Sequence, residues 1–245
     1  MIQYDSLMIR LTGFLLVVSS FFLTPLVFGS KGKYGSYATP LSKAFDYVKK
    51  TKAPDYWALA SHYLSQQNER SCSIASLAMI INAFRNKLEL KSSDELVTEK
   101  ELFQKTDHSA WNRHMSTGPT IILEEMGSIV DKSLRTYGFV GKVEVVHTND
   151  TSEKTLEKLR RDLLENEKSD KNFILVNFVQ GVLTEDKGGG HFAPIAAYDA
   201  KKKSVLVFDP DRKWYEPYWV SDEMLLKAMA IKDRDAFRGY IKVSI

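Results

Sequence analysis

Cysteine is nearly absent. The 245 residues hold one, Cys72, so an intramolecular disulfide, a CxxC redox pair and a multi-thiolate metal cluster are all excluded. Neither sign of charge is in real excess: 34 Lys and Arg against 31 Asp and Glu leave +3. The lysines are scattered rather than gathered into a stripe, which argues against a nucleic-acid partner. His62, His108, His114 and His147 lack i,i+4 spacing and have no cysteine beside them, so a zinc site is not indicated. They read as surface or packing residues. No internal repeat or low-complexity tract interrupts the chain. With 44% hydrophobic residues, what remains is one globular domain.

One long stretch carries no charge at all, Leu11 to Gly29, preceded by Arg10 and ending in Val27-Phe28-Gly29. That is the order of a secretory signal peptide, with cleavage near Gly29 or Ser30 and Met8 as an alternative start. An uncleaved membrane anchor is the alternative. The expected organisation is therefore 1–29 as signal peptide or anchor, 30–39 as a flexible lead-in, and 40–245 as the catalytic domain. The expected location is outside the cytosol, periplasmic or secreted. An unpaired thiol there needs a reason, and catalysis supplies one.

Cys72 stands where the polar loop Gln66-Gln67-Asn68-Glu69-Arg70-Ser71 gives way to the apolar run Ile74 to Phe84. Ile74, Leu77, Ile81 and Phe84 recur at near-helical spacing, and Met79 and Ile80 widen the apolar surface, so a helix buried on most sides is expected. Free N–H groups and the helix dipole at its start favour a thiolate. Gln66, six residues earlier, is an amide able to donate to a developing oxyanion; that spacing resembles the papain-type cysteine hydrolases. A buried free cysteine on a core helix is the plain alternative. Elsewhere, short helices are expected at 41–50 and 55–65, an exposed helix pair at 91–107, a helix from Ile121 capped by Thr120, a strand at Lys142 to His147, and an amphipathic helix capped at Asp150.

The second half bears on the chemistry. Phe173 to Val179 reads as a buried strand, Gly188-Gly189-Gly190-His191 opens a second at Phe192 to Tyr198, and Val205 to Phe208 ends at Asp209. If the last two pair about the Lys201-Lys202-Lys203 turn, His191 and Asp209 lie within about two residues of register on one face. A carboxylate so placed can hold an imidazole tautomer. The glycines let backbone approach a ligand; a flexible hairpin and a surface His–Asp hydrogen bond are the plain alternatives. Gln, Cys, His and Asp in this order point to a thiol nucleophile activated by a histidine.

Gly190-His191-Phe192-Ala193-Pro194, then Asp209-Pro210-Asp211-Arg212 with Pro217-Tyr218-Trp219-Val220, resemble the phytochelatin synthase family. The cysteine helix with Asn82-Ala83 and the stretch Arg238-Gly239-Tyr240 are similar to it too, so the resemblance covers about residues 40–245. It implies an α+β, papain-like fold in which a helical half carrying the cysteine packs on an antiparallel sheet carrying the histidine and aspartate. It implies Cys72 as nucleophile, His191 as base and then acid, Asp209 as its orienter and Gln66 in the oxyanion hole. Glutathione is the implied substrate, cleaved at its Cys–Gly bond, with γ-glutamylcysteine passed to water or to a second glutathione. Asn177, Gly190 and Arg238 would contact substrate; Arg212, counted with them, would fix the triad by an ion pair. No resident cofactor or metal site is implied; cadmium or zinc enters as a metal–glutathione thiolate or an activator. A homodimer is one arrangement compatible with the family.

Two positions depart from the family pattern: Ser73 replaces a usual glycine, and Gln180 stands where an arginine is common. The Cys-rich C-terminal region of the plant enzymes is not in this chain. A papain-like peptidase acting on a leader or other peptide is the rival enzyme reading, and a thiol- or metal-binding protein the non-enzyme one.

Overall fold

A computed structural model describes residues 32–245; segment 1–29, expected above to be a signal peptide or anchor, lies outside the described residues. The chain runs β1 (Thr39–Pro40), a 3₁₀ turn, α1 (Asp46–Lys50), α2 (Pro54–Ala60), α3 (Cys72–Arg85), α4 (Glu99–Thr106), α5 (Ser109–Met115) and α6 (Leu123–Thr136). Then come β2 (Lys142–His147), α7 (Glu153–Asn166), β3 (Asn172–Val179), α8 (Gln180–Thr184), β4 (Gly190–Asp199), β5 (Ser204–Val207) and β6 (Tyr218–Ser221). The chain closes with α9 (Asp222–Met229), β7 (Lys232–Asp233), β8 (Ala236–Phe237) and β9 (Gly239–Ser244). Seven strands form one antiparallel sheet in the order β1-β6-β5-β4-β3-β9-β2, and β7 and β8 pair separately. The fold is mixed α and β around an antiparallel sheet.

Strand β3 explains the layering. Phe173 and Leu175 join the apolar layer formed with Leu77, Ile81 and Phe84 of α3, whereas Ile174 and Val176 join the layer formed with Leu159 of α7 and Leu225 of α9. Alternate side chains leave opposite faces of a strand, so a continuous apolar run is what a strand covered on both sides requires. Each fully buried Leu, Ile or Phe contributes about 1.5–3 kcal/mol of transfer free energy. Helix α3 is buried from Cys72 to Phe84. Its polar residues are therefore partnered: Ser76 donates to the Phe192 carbonyl (2.9 Å), and Asn82 bonds both the N–H and the C=O of Val97. The first of these fastens the cysteine helix to the strand that begins at His191.

Several local expectations shift. The helix foreseen over 55–65 ends at Ala60, and the pair foreseen over 91–107 is the single α4. Residues before α4 stay in a turn because the Asp94 carboxylate accepts the Lys91 N–H, while Thr98 caps α4 at Glu101 N–H. Thr120 does not cap α6. It donates to Asp233, and the Glu125 carboxylate accepts the Ile122 N–H instead. At α7 the cap is Ser152 rather than Asp150, whose carboxylate accepts the Ser152 N–H. The lead-in is docked from Gly32 on. Tyr34 packs edgewise on Tyr215 and Tyr218, its hydroxyl accepts the Glu216 N–H, and Thr39 and Pro40 pair with Trp219 and Tyr218.

Candidate active site

The hairpin β4–β5 places His191 and Asp209 by means of an irregularity. At its turn the pairing is Asp199 with Ser204 and Tyr198 with Val205; beyond a bulge at Ala196 it becomes Ile195 with Val207, and the Phe208 N–H reaches the Pro194 carbonyl. An unbroken hairpin would set Asp209 across from Pro194, facing away from His191. The extra residue sets it across from Ala193, on His191's own face. The core records the switch: Phe192, Ala196 and Ala197 share one apolar layer, while Ala193, Ile195 and Tyr198 share the other.

His191 Nε2 lies 2.7 Å from Asp209 Oδ1, and its ring stands edgewise on Phe178. The other ring nitrogen is left for Cys72, the first residue of α3, whose thiol is near enough to favour the imidazolium. Asp209 is completely buried, and four donors converge on its carboxylate. Oδ1 accepts from His191 and from the Asp211 N–H (2.9 Å); Oδ2 accepts from Gln180 Nε2 (2.8 Å) and the Tyr218 hydroxyl (2.7 Å). Burial works against both charges of the pair, yet each favours the other. The pKa of Asp209 is held below the ordinary carboxylate value by His191 and these donors, and that of His191 well above the ordinary histidine value by Asp209 and Cys72. Tyr63 donates to the Asp209 carbonyl at 2.6 Å and fixes the backbone as well.

In front of the thiol is a cleft of about 140 Å³ lined by Cys72, Asn177, Gly190 and Arg238, together with Arg70, His114 and Asp233. Asn177 joins the two halves of this wall: its amide donates to the His191 carbonyl (3.3 Å), and its oxygen accepts from Arg238 Nη1 (3.1 Å). Arg238 is 6% exposed, faces Asp233 at 3.4 Å, and keeps its Nε without a partner. Burial lowers its pKa, while Asp233 and Cys72 oppose that shift. Gly190 is needed here because a Cβ would lie 2.8 Å from both terminal guanidinium nitrogens. The glycine thus makes room for Arg238 rather than only for a ligand. A larger groove of about 630 Å³, beside Tyr47, Glu167 and Lys202, contains none of these groups.

Two residues stand differently from expectation. Gln66 is tied to the Asp209 segment through its N–H to the Pro210 carbonyl (2.8 Å), and its Oε1 is buried without a partner, outside the cleft wall. Arg212 makes no ion pair with Asp209. It is exposed and lies over the Tyr63 ring at 4.6 Å, because the turn after Asp209 directs it outward. The chain also uses residues that sequence reasoning passed over. Tyr218 lies inside a quoted motif, and Gln180 drew attention only as a departure. Arg70 binds the carbonyls of His114 and Gly118 across the cleft rim. Ser73 accepts from Trp111 Nε1 at 3.0 Å, which gives its hydroxyl a structural use.

A thiol opening a helix, an imidazole against it and a carboxylate behind the imidazole form the line that acyl transfer through a thioester needs. The chain belongs to the phytochelatin synthase family: that family's sequence model matches residues 40–240. It is similar to glutathione gamma-glutamylcysteinyltransferase 2 of Arabidopsis thaliana, 26% identical over 200 residues, 80% of this chain and 41% of the relative. Glutathione gamma-glutamylcysteinyltransferase 1 of the same plant is 26% identical over 80% of this chain and 38% of its own length. The glutathione gamma-glutamylcysteinyltransferase of Schizosaccharomyces pombe is 21% identical over 79% of this chain and 44% of its own. The chain thus spans about two fifths of the length of these relatives.

Proposed function

We propose that the protein is a papain-like cysteine acyltransferase acting on glutathione. The observation that carries this reading is the Cys72–His191–Asp209 line at the back of a small cleft whose side wall holds a buried guanidinium, Arg238. Family membership supports glutathione as the substrate class. Cys72 Sγ attacks the carbonyl carbon of the Cys–Gly bond; the C–S bond forms, and the C–N bond breaks as His191 gives its proton to the departing glycine amine. Gln66, whose side chain lies outside the cleft wall in the resting protein, would have to turn its amide into the cleft to take the oxyanion. The γ-glutamylcysteinyl thioester is then attacked by water, giving γ-glutamylcysteine, or by the amine of a second glutathione, giving a phytochelatin. His191 now removes the attacking group's proton. A metal ion such as cadmium takes part as the thiolate complex of glutathione, hence as substrate. Asn177 holds the cleft wall in register, and Arg238 offers its unpartnered Nε side to the peptide. The reading of residues 1–29 as an export signal or anchor supports a location outside the cytosol for this activity.

The test is mass spectrometry of products from the purified protein with glutathione, with and without cadmium, beside Cys72→Ala. Glycine and γ-glutamylcysteine alone identify a hydrolase; an added (γ-Glu-Cys)₂-Gly identifies a synthase. No product in any arm overturns glutathione as substrate and moves the search to other peptides.

A further inference from the structure

The Gln180 amide is turned inward. The residue is 5% exposed, begins α8 directly after β3, and donates Nε2 to Asp209 Oδ2 at 2.8 Å. The glycine loop is built over it. The Gln180 N–H bonds the Gly189 carbonyl, the Gly181 N–H bonds the Gly188 carbonyl, and a Cβ on Gly188 would lie 2.6 Å from Gln180 Oε1. The remaining donor to Oδ2, Tyr218, is also neutral, as is the Asp211 N–H on Oδ1. Among the described residues, His191 is therefore the only cation within hydrogen-bond reach of this fully buried carboxylate.

We propose that Gln180 is a positioning residue that occupies the second oxygen of Asp209 with a neutral donor, so that the full carboxylate charge is reserved for the His191 imidazolium. An arginine there would share that charge and weaken the hold on the imidazolium; an apolar residue would free the carboxylate to turn. This rests on the reading of Cys72, His191 and Asp209 as the reacting line, and it concerns how the line is held rather than what it acts on. The other groups around the pair are Cys72 from α3, Tyr63 from the segment after α2, Tyr218 from β6, and Asp211 and Lys213 from the turn after Asp209. Tyr34 of the lead-in and Tyr215 also feel the Asp209 charge.

The decisive measurement needs no glutathione. With five histidines and one cysteine in the chain, His191 can be followed by NMR titration of labelled imidazoles, and Cys72 by its rate of alkylation with iodoacetamide from pH 4 to 10. In Gln180→Arg the His191 midpoint is expected to fall by about one unit or more, because an added cation favours loss of the imidazolium proton. The alkaline edge of the alkylation profile should move down with it. In Gln180→Leu the midpoint is expected not to fall, while alkylation at pH 7 slows several-fold because the carboxylate loses a fixed orientation. Profiles in both variants superimposable on the parent overturn the proposal, as does an equal midpoint shift in both. If Gln180→Arg does not fold, Gln180→Leu alone decides: alkylation at the parent rate overturns the proposal. An intact alkylation profile without glutathione turnover would refute the proposed substrate and leave this inference standing.

Discussion

Three aspartates among the described residues, Asp209, Asp55 and Asp222, have no exposed surface, and the first two are treated in opposite ways. Asp209 receives four donors, one of them the cationic His191, and its pKa is held below the ordinary value. Asp55, in α2, receives one side-chain donor, the amide of Asn166 at the end of α7, and its Oδ1 has no partner. Burial, with Glu167 and Asp170 adding their charges, drives its pKa well above the ordinary value. A buried carboxylate keeps its charge only where hydrogen bonds and an opposite charge replace water. The first site is organised around an anion. The second is a packing position whose surroundings favour the protonated form.

Removing the organised charge is expected to have the largest effect. Asp209→Ala leaves the His191 tautomer unfixed and its imidazolium without a counter-charge, and should lower kcat on glutathione about 10³–10⁴-fold. Asp209→Asn should fall between, since an amide oxygen still accepts from Nε2 but carries no charge. Steady-state kinetics check both; kcat within tenfold of the parent in the alanine variant would remove Asp209 from the mechanism. Next comes Tyr218→Phe, which deletes one neutral donor from a buried anion. A hydrogen bond to a charged group contributes about 1.5–3 kcal/mol. At about 2–4 °C per kcal/mol for a domain of this size, Tm should drop by roughly 3–12 °C. A Tm equal to the parent's would mean that the remaining three donors suffice.

Asp55→Asn should act in the opposite direction and more weakly. A raised folded pKa contributes stability that is complete below the unfolded value and is lost as pH rises through the folded one. At pH 8 the neutral amide should therefore raise Tm by a few degrees, and near pH 4 the two proteins should melt together. Asp209 has the reverse sign: its contribution is complete above the unfolded value and is lost as pH falls through the lowered one. Thermal melts across pH 4–8 separate the two aspartates; a stabilisation by Asp55→Asn that is equal at both ends would show that its charge is not the cause.

How much of this was legible in the residues differs along the chain. Cys72 at a helix start and the double-sided strand β3 follow from periodicity, since burial writes directly into apolar spacing. That His191 and Asp209 share a face did not follow from the hairpin alone. Counting from the turn puts them on opposite faces, and only the bulge at Ala196, among three consecutive small or unmarked residues, reverses the parity. Gln180 and Tyr218 were hidden for another reason. Each belongs to a different strand end, and a carboxylate's third and fourth donors have no fixed sequence distance from it. Arg212 was misjudged because three residues from Asp209 suggests proximity, whereas the turn points it to Tyr63. Asp55 gave no signal in a short helix whose neighbours are aromatic.

The smallest expected effect tests whether partial exposure places a carboxylate between these extremes. Glu167 lies just past the end of α7, accepts the Tyr198 N–H (2.8 Å) and the Tyr47 hydroxyl (3.0 Å), and has no cationic partner among the described residues. Burial, with a further push from Asp199, raises its pKa from 4.5 to about 7 against the pull of those two donors. The end of a helix also carries partial negative charge, which disfavours a carboxylate there. The folded state should thus lose stability between pH 4.5 and 7 on account of this group, by on the order of 1 kcal/mol once its partial contact with solvent is counted. Glu167→Gln keeps the shape and cannot titrate, so its urea midpoint should change less than the parent's across that interval. The variant and parent should differ most near pH 8, inside the window where Asp55→Asn is also expected to gain. The Glu167 charge is one of those that raise Asp55, so the double variant should gain less than the sum of the singles. Strict additivity would mean that Asp55 and Glu167 titrate independently and that burial and Asp170, not the Glu167 charge, raise Asp55.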